Sequence, residues 1–248
     1  MASTSETGHA KNVANFNELI AFITGYGATY NPTKSSIKLT ALQDLALEAK
    51  ASIDTVNSAL PAYSNAVSAR EAAFEPLSKL TTRVMNAVKA TDTTQQVDES
   101  ARTLVRKIQG KRATAKTTEA EKAAATAEGK DIKEKSSSQM SYDNRLDNLD
   151  KLIQLLSSIP LYTPNEAELK VASLKNLYTD LKTKNTAVIN ATTPLSNARI
   201  SRNETLYKAD IGLVDTALDV KTYIKSLFGA TSPQYKQISK LEFKVRKI

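Results

Sequence analysis

The chain has 248 residues, no cysteine, no tryptophan, only seven glycines and seven prolines, and a formal net charge of +8. This composition excludes disulfides, thiol catalysis and thiolate metal sites, and it favours long helices over a turn-rich sheet. No stretch approaches the ~18 apolar residues of a membrane span, and residues 1–8 lack the pattern of a leader, so the expected location is cytoplasmic.

Residues 1–10 are small and polar and read as a tail. In residues 11–24 the positions Val13, Phe16, Leu19, Ile20 and Ile23 suit a short amphipathic helix, which Gly25 and Gly27 stop. Asn31 is placed to cap the next helix, with Pro32 at its first position.

That next helix organises the sequence. Apolar residues recur at Leu42, Leu45, Ala49, Ile53, Val56, Leu60, Tyr63, Val67, Phe74, Leu77, Val84 and Val88 in steps of three and four, the mark of one helical seam. The seam keeps its phase across Pro61 and Pro76. One kinked helix over about 32–90 is therefore expected, on the order of 85 Å long. Asp92 to Gln95 reads as a capping box opening a third helix, with Val97, Ala101, Leu104, Val105 and Ile108 inside it and Gly110 at its end. Residues 111–141 are rich in Ala and charge and poor in large apolar residues, which is the composition of a linker.

The second half repeats the first at an offset of 132. Tyr30 matches Tyr162, Pro32 matches Pro164, Leu42 matches Leu174, Val56 matches Val188 and Arg70 matches Arg202. Pro61 and Pro194 lie in the same turn. Thr163, Pro164, Asn165 and Glu166 read as a second capping box. An eight-residue insertion lengthens the second long helix to Phe228. Beyond it Ser232 and Pro233 cap a last helix, and Val245 to Ile248 match Val105 to Ile108. The expected fold is all-α: an elongated bundle made by tandem duplication of a short-long-short module, spanning 11–110 and 142–248. Short helices cover only the ends of each long seam, so the two long helices are expected side by side, as in a coiled coil or bundle.

The sequence holds no catalytic, cofactor-binding or metal-ligating set. His9 is the only histidine and sits in the polar tail, and Asp143, Asp147 and Asp150 read as charge at a helix N-terminus. Arg70 and Arg202 take seam positions where apolar residues are expected. Each could fix register through a glutamate, with Glu71, Glu75 and Glu204 as candidates, or rest its stem on apolar surface with its head in water. Arg102, Arg106 and Lys107 form one basic set, and Lys236, Lys240 and Lys244, at steps of four, form another; both are candidate anion contacts.

The resulting expectation is a non-enzymatic structural or interaction protein that self-assembles into a filament, lattice or scaffold. A basic module for nucleic acid or an anionic surface is the alternative. A membrane-active protein is the third reading: the long Ala-rich helices resemble those of helical pore-forming toxins in architecture, although no apolar hairpin is long enough to insert.

Overall fold

The computed structural model describes residues 8–111, 126–127 and 140–245. It is all-α, with no strand among the described residues. Helix α1 is His9–Gly25, α2 is Leu39–Phe74, α3 is Leu77–Lys89 and α4 is Gln95–Gln109. The second half contributes α5, Tyr142–Ser157; α6, Val171–Tyr207; α7, Leu213–Phe228; and α8, Pro233–Ser239.

Both mid-helix prolines are accommodated. Pro61 lies inside α2 and Pro194 inside α6, each on an exposed side. The carbonyl left without a donor then faces water, and the helix continues. Pro76 acts differently: α2 stops at Phe74 and α3 resumes at Leu77, so the expected helix over 32–90 is divided. The second long helix is divided too. Residues 208–212 break it, with Asp210 in the left-handed region at φ 68°. Two residues separate Phe74 from Leu77 and six separate Leu206 from Leu213, so four extra residues, not eight, sit at this joint, and α7 rather than α6 runs on to Phe228.

Neither long helix starts at its proline. Each is preceded by a 3₁₀ turn, Ser35–Ile37 in the first half and Ala167–Leu169 in the second. The cause is a buried tyrosine upstream. Tyr30 donates its hydroxyl to the carbonyl of Ile37 at 2.5 Å, and Tyr162 donates to that of Leu169 at 3.0 Å. Closing these turns seats Ile37 and Leu169 in the core, so Pro32 and Pro164 remain in loops. The Asp92 capping box also gives way: Thr94 is the N-cap, and Thr93 donates to Asp98 at 2.7 Å. Gly110 ends α4 with φ 69°, a left-handed cap suited to glycine.

The chain packs as two compact units. Unit 1 is 1–64 with 191–248, and unit 2 is 65–190. The repeat divides the sequence at the linker; packing divides it inside the two long helices. Each unit thus draws on both halves. The core of unit 1 joins Phe16, Leu19, Ile23 and Leu42 of the first half to Leu206, Leu213, Val220, Ile224 and Ile238 of the second. The core of unit 2 joins Phe74, Leu77, Val84, Val88 and Ile108 to Leu149, Leu152, Leu156, Leu174 and Leu181. Within unit 1, α2 and α6 also meet through Val56, Leu195 and Ala198, and Thr205 donates to Glu48 at 3.2 Å. Partners late in α6 meet residues early in α2, so the two run antiparallel there.

Burial refines the register of the repeat. Val13, Asn15, Phe16, Leu19 and Ile23 of α1 correspond to Leu146, Asn148, Leu149, Leu152 and Leu156 of α5, an offset of 133. Leu42, Val56 and Phe74 keep 132 to Leu174, Val188 and Leu206. Leu77, Thr81, Val84 and Val88 of α3 match Leu213, Ala217, Val220 and Ile224 of α7 at 136. The last sequence match has no structural counterpart: Val105 is buried in α4, whereas Val245 is exposed beyond the end of α8 and 246–248 lie outside the described residues.

Candidate functional site

Three features gather polar side chains. The first lies in unit 2 and is built around Arg70. The guanidinium carbon sits 3.9 Å from the centre of the Tyr142 ring, and Nη1 donates to Asn185 Oδ1 at 3.2 Å. Asn185 is buried and passes the chain on, donating to Asp143 at 2.8 Å. Tyr142 meets Phe74 edge-on at 4.8 Å. Arg145 lies over the Phe74 ring at 5.2 Å and donates to the Phe74 carbonyl at 3.2 Å. Burial lowers the pKa of Arg145, with Tyr142 opposing the shift. The arrangement binds the end of α2 to the start of α5 and to α6 through stacking and neutral acceptors.

Arg70 therefore does bridge helices, but through Asn185 and Tyr142. Among the described residues no ion pair joins Arg70 or Arg202 to Glu71, Glu75 or Glu204, and Glu71, Glu75 and Glu204 are exposed. Arg202 in unit 1 donates to its neighbour Asn203 at 2.9 and 3.2 Å. Burial lowers its pKa first, Tyr207 opposes the shift and Arg199 adds to it. Matched positions in the two halves thus do different work: Tyr142 corresponds to His9, which meets Tyr207, and Asn185 corresponds to Ile53, which has no side-chain acceptor.

The second feature, absent from the sequence reading, is the C-terminal segment of unit 1. After α8 stops at Ser239 the chain runs on without helix. Asn12 holds it by a paired contact, donating to the Lys244 carbonyl at 2.8 Å and accepting from the Lys244 N–H at 3.1 Å. Asn15 donates to the Glu242 carbonyl at 2.7 Å, and Lys221 donates to the Leu241 carbonyl at 2.5 Å. Burial lowers the pKa of Lys221, with Glu242 opposing. Phe243 lies edge-on to Phe16. His9 is 2.7 Å from the Tyr207 hydroxyl, which makes it part of this packing.

The third feature occurs once in each unit. In unit 1 Lys34, beside its 3₁₀ turn, forms an ion pair with Asp219 of α7. In unit 2 Arg83 of α3 pairs at 2.5 Å with Glu168 of the other 3₁₀ turn. Beside the second pair is a polar depression of 670 Å³ lined by Arg83, Asn86, Thr91, Asp92, Asn165 and Glu166.

The basic sets fall apart by unit. Arg102, Arg106 and Lys107 stand on α4 in unit 2, with Arg106 donating to Thr103 at 3.3 Å. In unit 1, Lys236 is on α8, Lys240 is its C-cap, and Lys244 lies beyond the helix in an ion pair with Glu242 at 2.7 Å. The expected single face at steps of four is not formed, because α8 has only seven residues. Among the described residues no group of three or more His, Asp or Glu is placed to hold a metal ion, and no helix is long and apolar enough to cross a membrane. Comparison with protein-family models, curated proteins and solved structures gives no match.

Proposed function

We propose that this chain is a non-enzymatic scaffold that assembles with further copies of itself through the outer faces of α2 and α6. One observation carries the reading: large apolar side chains stand in water on helices that have already satisfied their own cores. In unit 1 Leu47 is 68% exposed on α2 and Ile200 is 55% exposed on α6; in unit 2 Ile189 of α6 is 56% exposed. Exposed alanines lie along α2 at Ala51, one turn from Leu47, and further on at Ala62, Ala69 and Ala72, and permit close helix approach. The polar features described above tie helices to one another, and their chemistry is that of struts. The recurrence of element order and burial pattern in the two halves supports an origin by tandem duplication, which supplies two similar faces on one chain.

Light scattering coupled to sizing, with negative-stain microscopy, tests the reading. Large particles or fibres are expected for the native chain, and Leu47→Lys with Ile200→Lys should shift them to smaller species. A strictly monomeric native chain at high concentration overturns it.

A further inference from the structure

The ion pairs Lys34–Asp219 and Arg83–Glu168 join the same helix position to the 3₁₀ loop of each unit, at loop residues two apart in register and with the charges reversed. Asp219 is the seventh residue of α7 and Arg83 the seventh of α3. Their neighbours one turn back follow suit, Asp215 on α7 and Lys79 on α3. The loops are opposite in the same sense, with Lys34 in the first half and Glu166 and Glu168 in the second. In register Lys34 corresponds to Glu166, so a loop set against the helix of its own half would bring Lys34 toward Arg83 and Glu166 toward Asp219, like charge in both cases. A first half is thus biased by charge toward a second half.

We infer that a second copy of this chain uses the same marked surface, by exchanging halves. This rests on the self-assembly reading and names its contact. Every unit is already built from two halves, so a first half from one chain and a second half from another keep all the contacts within each unit. Chain connectivity does not oppose it. Gly110 approaches Met140 so closely that a side chain at 110 would collide with the Met140 sulfur, yet residues 111–139 lie between them. Closing that gap within one chain needs a few residues, and the chain has 29 between these two positions. Reciprocal exchange gives a closed pair of chains, and exchange along a row gives a polymer.

Two full-length variants test the code. One carries Lys34→Glu and Arg83→Glu in its first half; the other carries Glu168→Lys and Asp219→Lys in its second. Each alone sets like charges together at both sites. Reciprocal exchange between them restores all four pairs. The two are unfolded, mixed and refolded at high concentration, then read by native mass spectrometry and thermal melting. The expected result is a two-chain species holding one of each variant, enriched about tenfold over same-variant pairs, with a melting midpoint back near that of the native chain. If a variant fails to fold alone, its recovery in the mixture is the same result. In parallel, native chains of two isotopic masses refolded together should give mixed-isotope pairs. Mixtures that stay unpaired, or pair at the statistical ratio, overturn the exchange. If the native chain and both variants form equal assemblies without exchange, lateral association survives and this inference does not. If no chain associates at any concentration, both are lost.

Discussion

The two units close in different ways around closely matched cores. Unit 2 is completed by α4, whose Ala101, Val105 and Ile108 are buried. Unit 1 is completed by the short α8 and then by non-helical backbone from Leu241 to Val245. A helix satisfies its own N–H and C=O groups, so α4 needs only an apolar stripe. The segment after α8 cannot do this, and it takes its partners from Asn12, Asn15 and Lys221. The position is set by the core; the polar side chains beside it follow from the backbone that fills it.

The largest effect that can break this comparison is in the helix that seals unit 2. Ile108→Ala removes a fully buried side chain from α4 and should cost about 2–5 kcal/mol in a denaturant titration. A cost below ~1 kcal/mol would mean that α4 is dispensable. In unit 1 the polar clamp carries the corresponding load. Asn12→Ala should destabilise by about 1–3 kcal/mol and strip the Lys244 amide of its protection from hydrogen exchange. Asn144→Ala, on the corresponding helix α5 of unit 2, should stay within about 0.5 kcal/mol because that side chain is exposed. Equal losses at the two sites would remove the distinction.

The arginines sharpen the comparison at a smaller scale. Arg70→Leu should cost about 1–2 kcal/mol, since it abandons the Tyr142 ring and the buried Asn185. Arg202→Leu should change the denaturant midpoint by no more than about 0.5 kcal/mol, as its contacts stay on its own helix. Matching losses would show that Arg202 also ties helices together.

The last test asks where the units should behave alike. Burial raises the pKa of Tyr30 above its ordinary 10.0, with Tyr223 adding to the shift. Burial pushes Tyr162 up to about 12, with Glu166 adding to it. A raised folded pKa means the native state holds its proton when the unfolded chain has lost it. The resulting stability is fully present below pH 10 and is lost as pH rises from there through the folded values. Stability measured from pH 9 to 12 should fall, and Tyr30→Phe and Tyr162→Phe should each flatten the fall. An unchanged slope in either variant would place that hydroxyl outside the linkage.

Much of the local structure was legible in the residues. The seam at Leu42, Ala49, Val56, Phe74, Val84 and Val88 is buried along α2 and α3, as its spacing requires. Its unbroken phase across Pro61 anticipated the continuous helix. The same argument failed at Pro76, where phase is kept across a joint that α2 does not cross. The caps at Ser232 and Gly110 were readable because one residue type meets one backbone need. The 3₁₀ turns were not readable. They depend on Tyr30 and Tyr162 reaching carbonyls seven residues away, a contact that exists only once the core has closed. Asn12 and Asn15 likewise looked like polar residues on a short helix until a distant segment came to rest on them.

By itself the sequence determined that the chain is helical, where its apolar stripes run and that the two halves share one pattern. These follow from spacing along the chain, since a stripe at steps of three and four exists in any helix that forms. Only the tertiary structure decided which stripe covers which. A stripe states that a face must be buried and is silent about the partner. Here the core of each unit takes stripes from both halves, so each half is completed by the other.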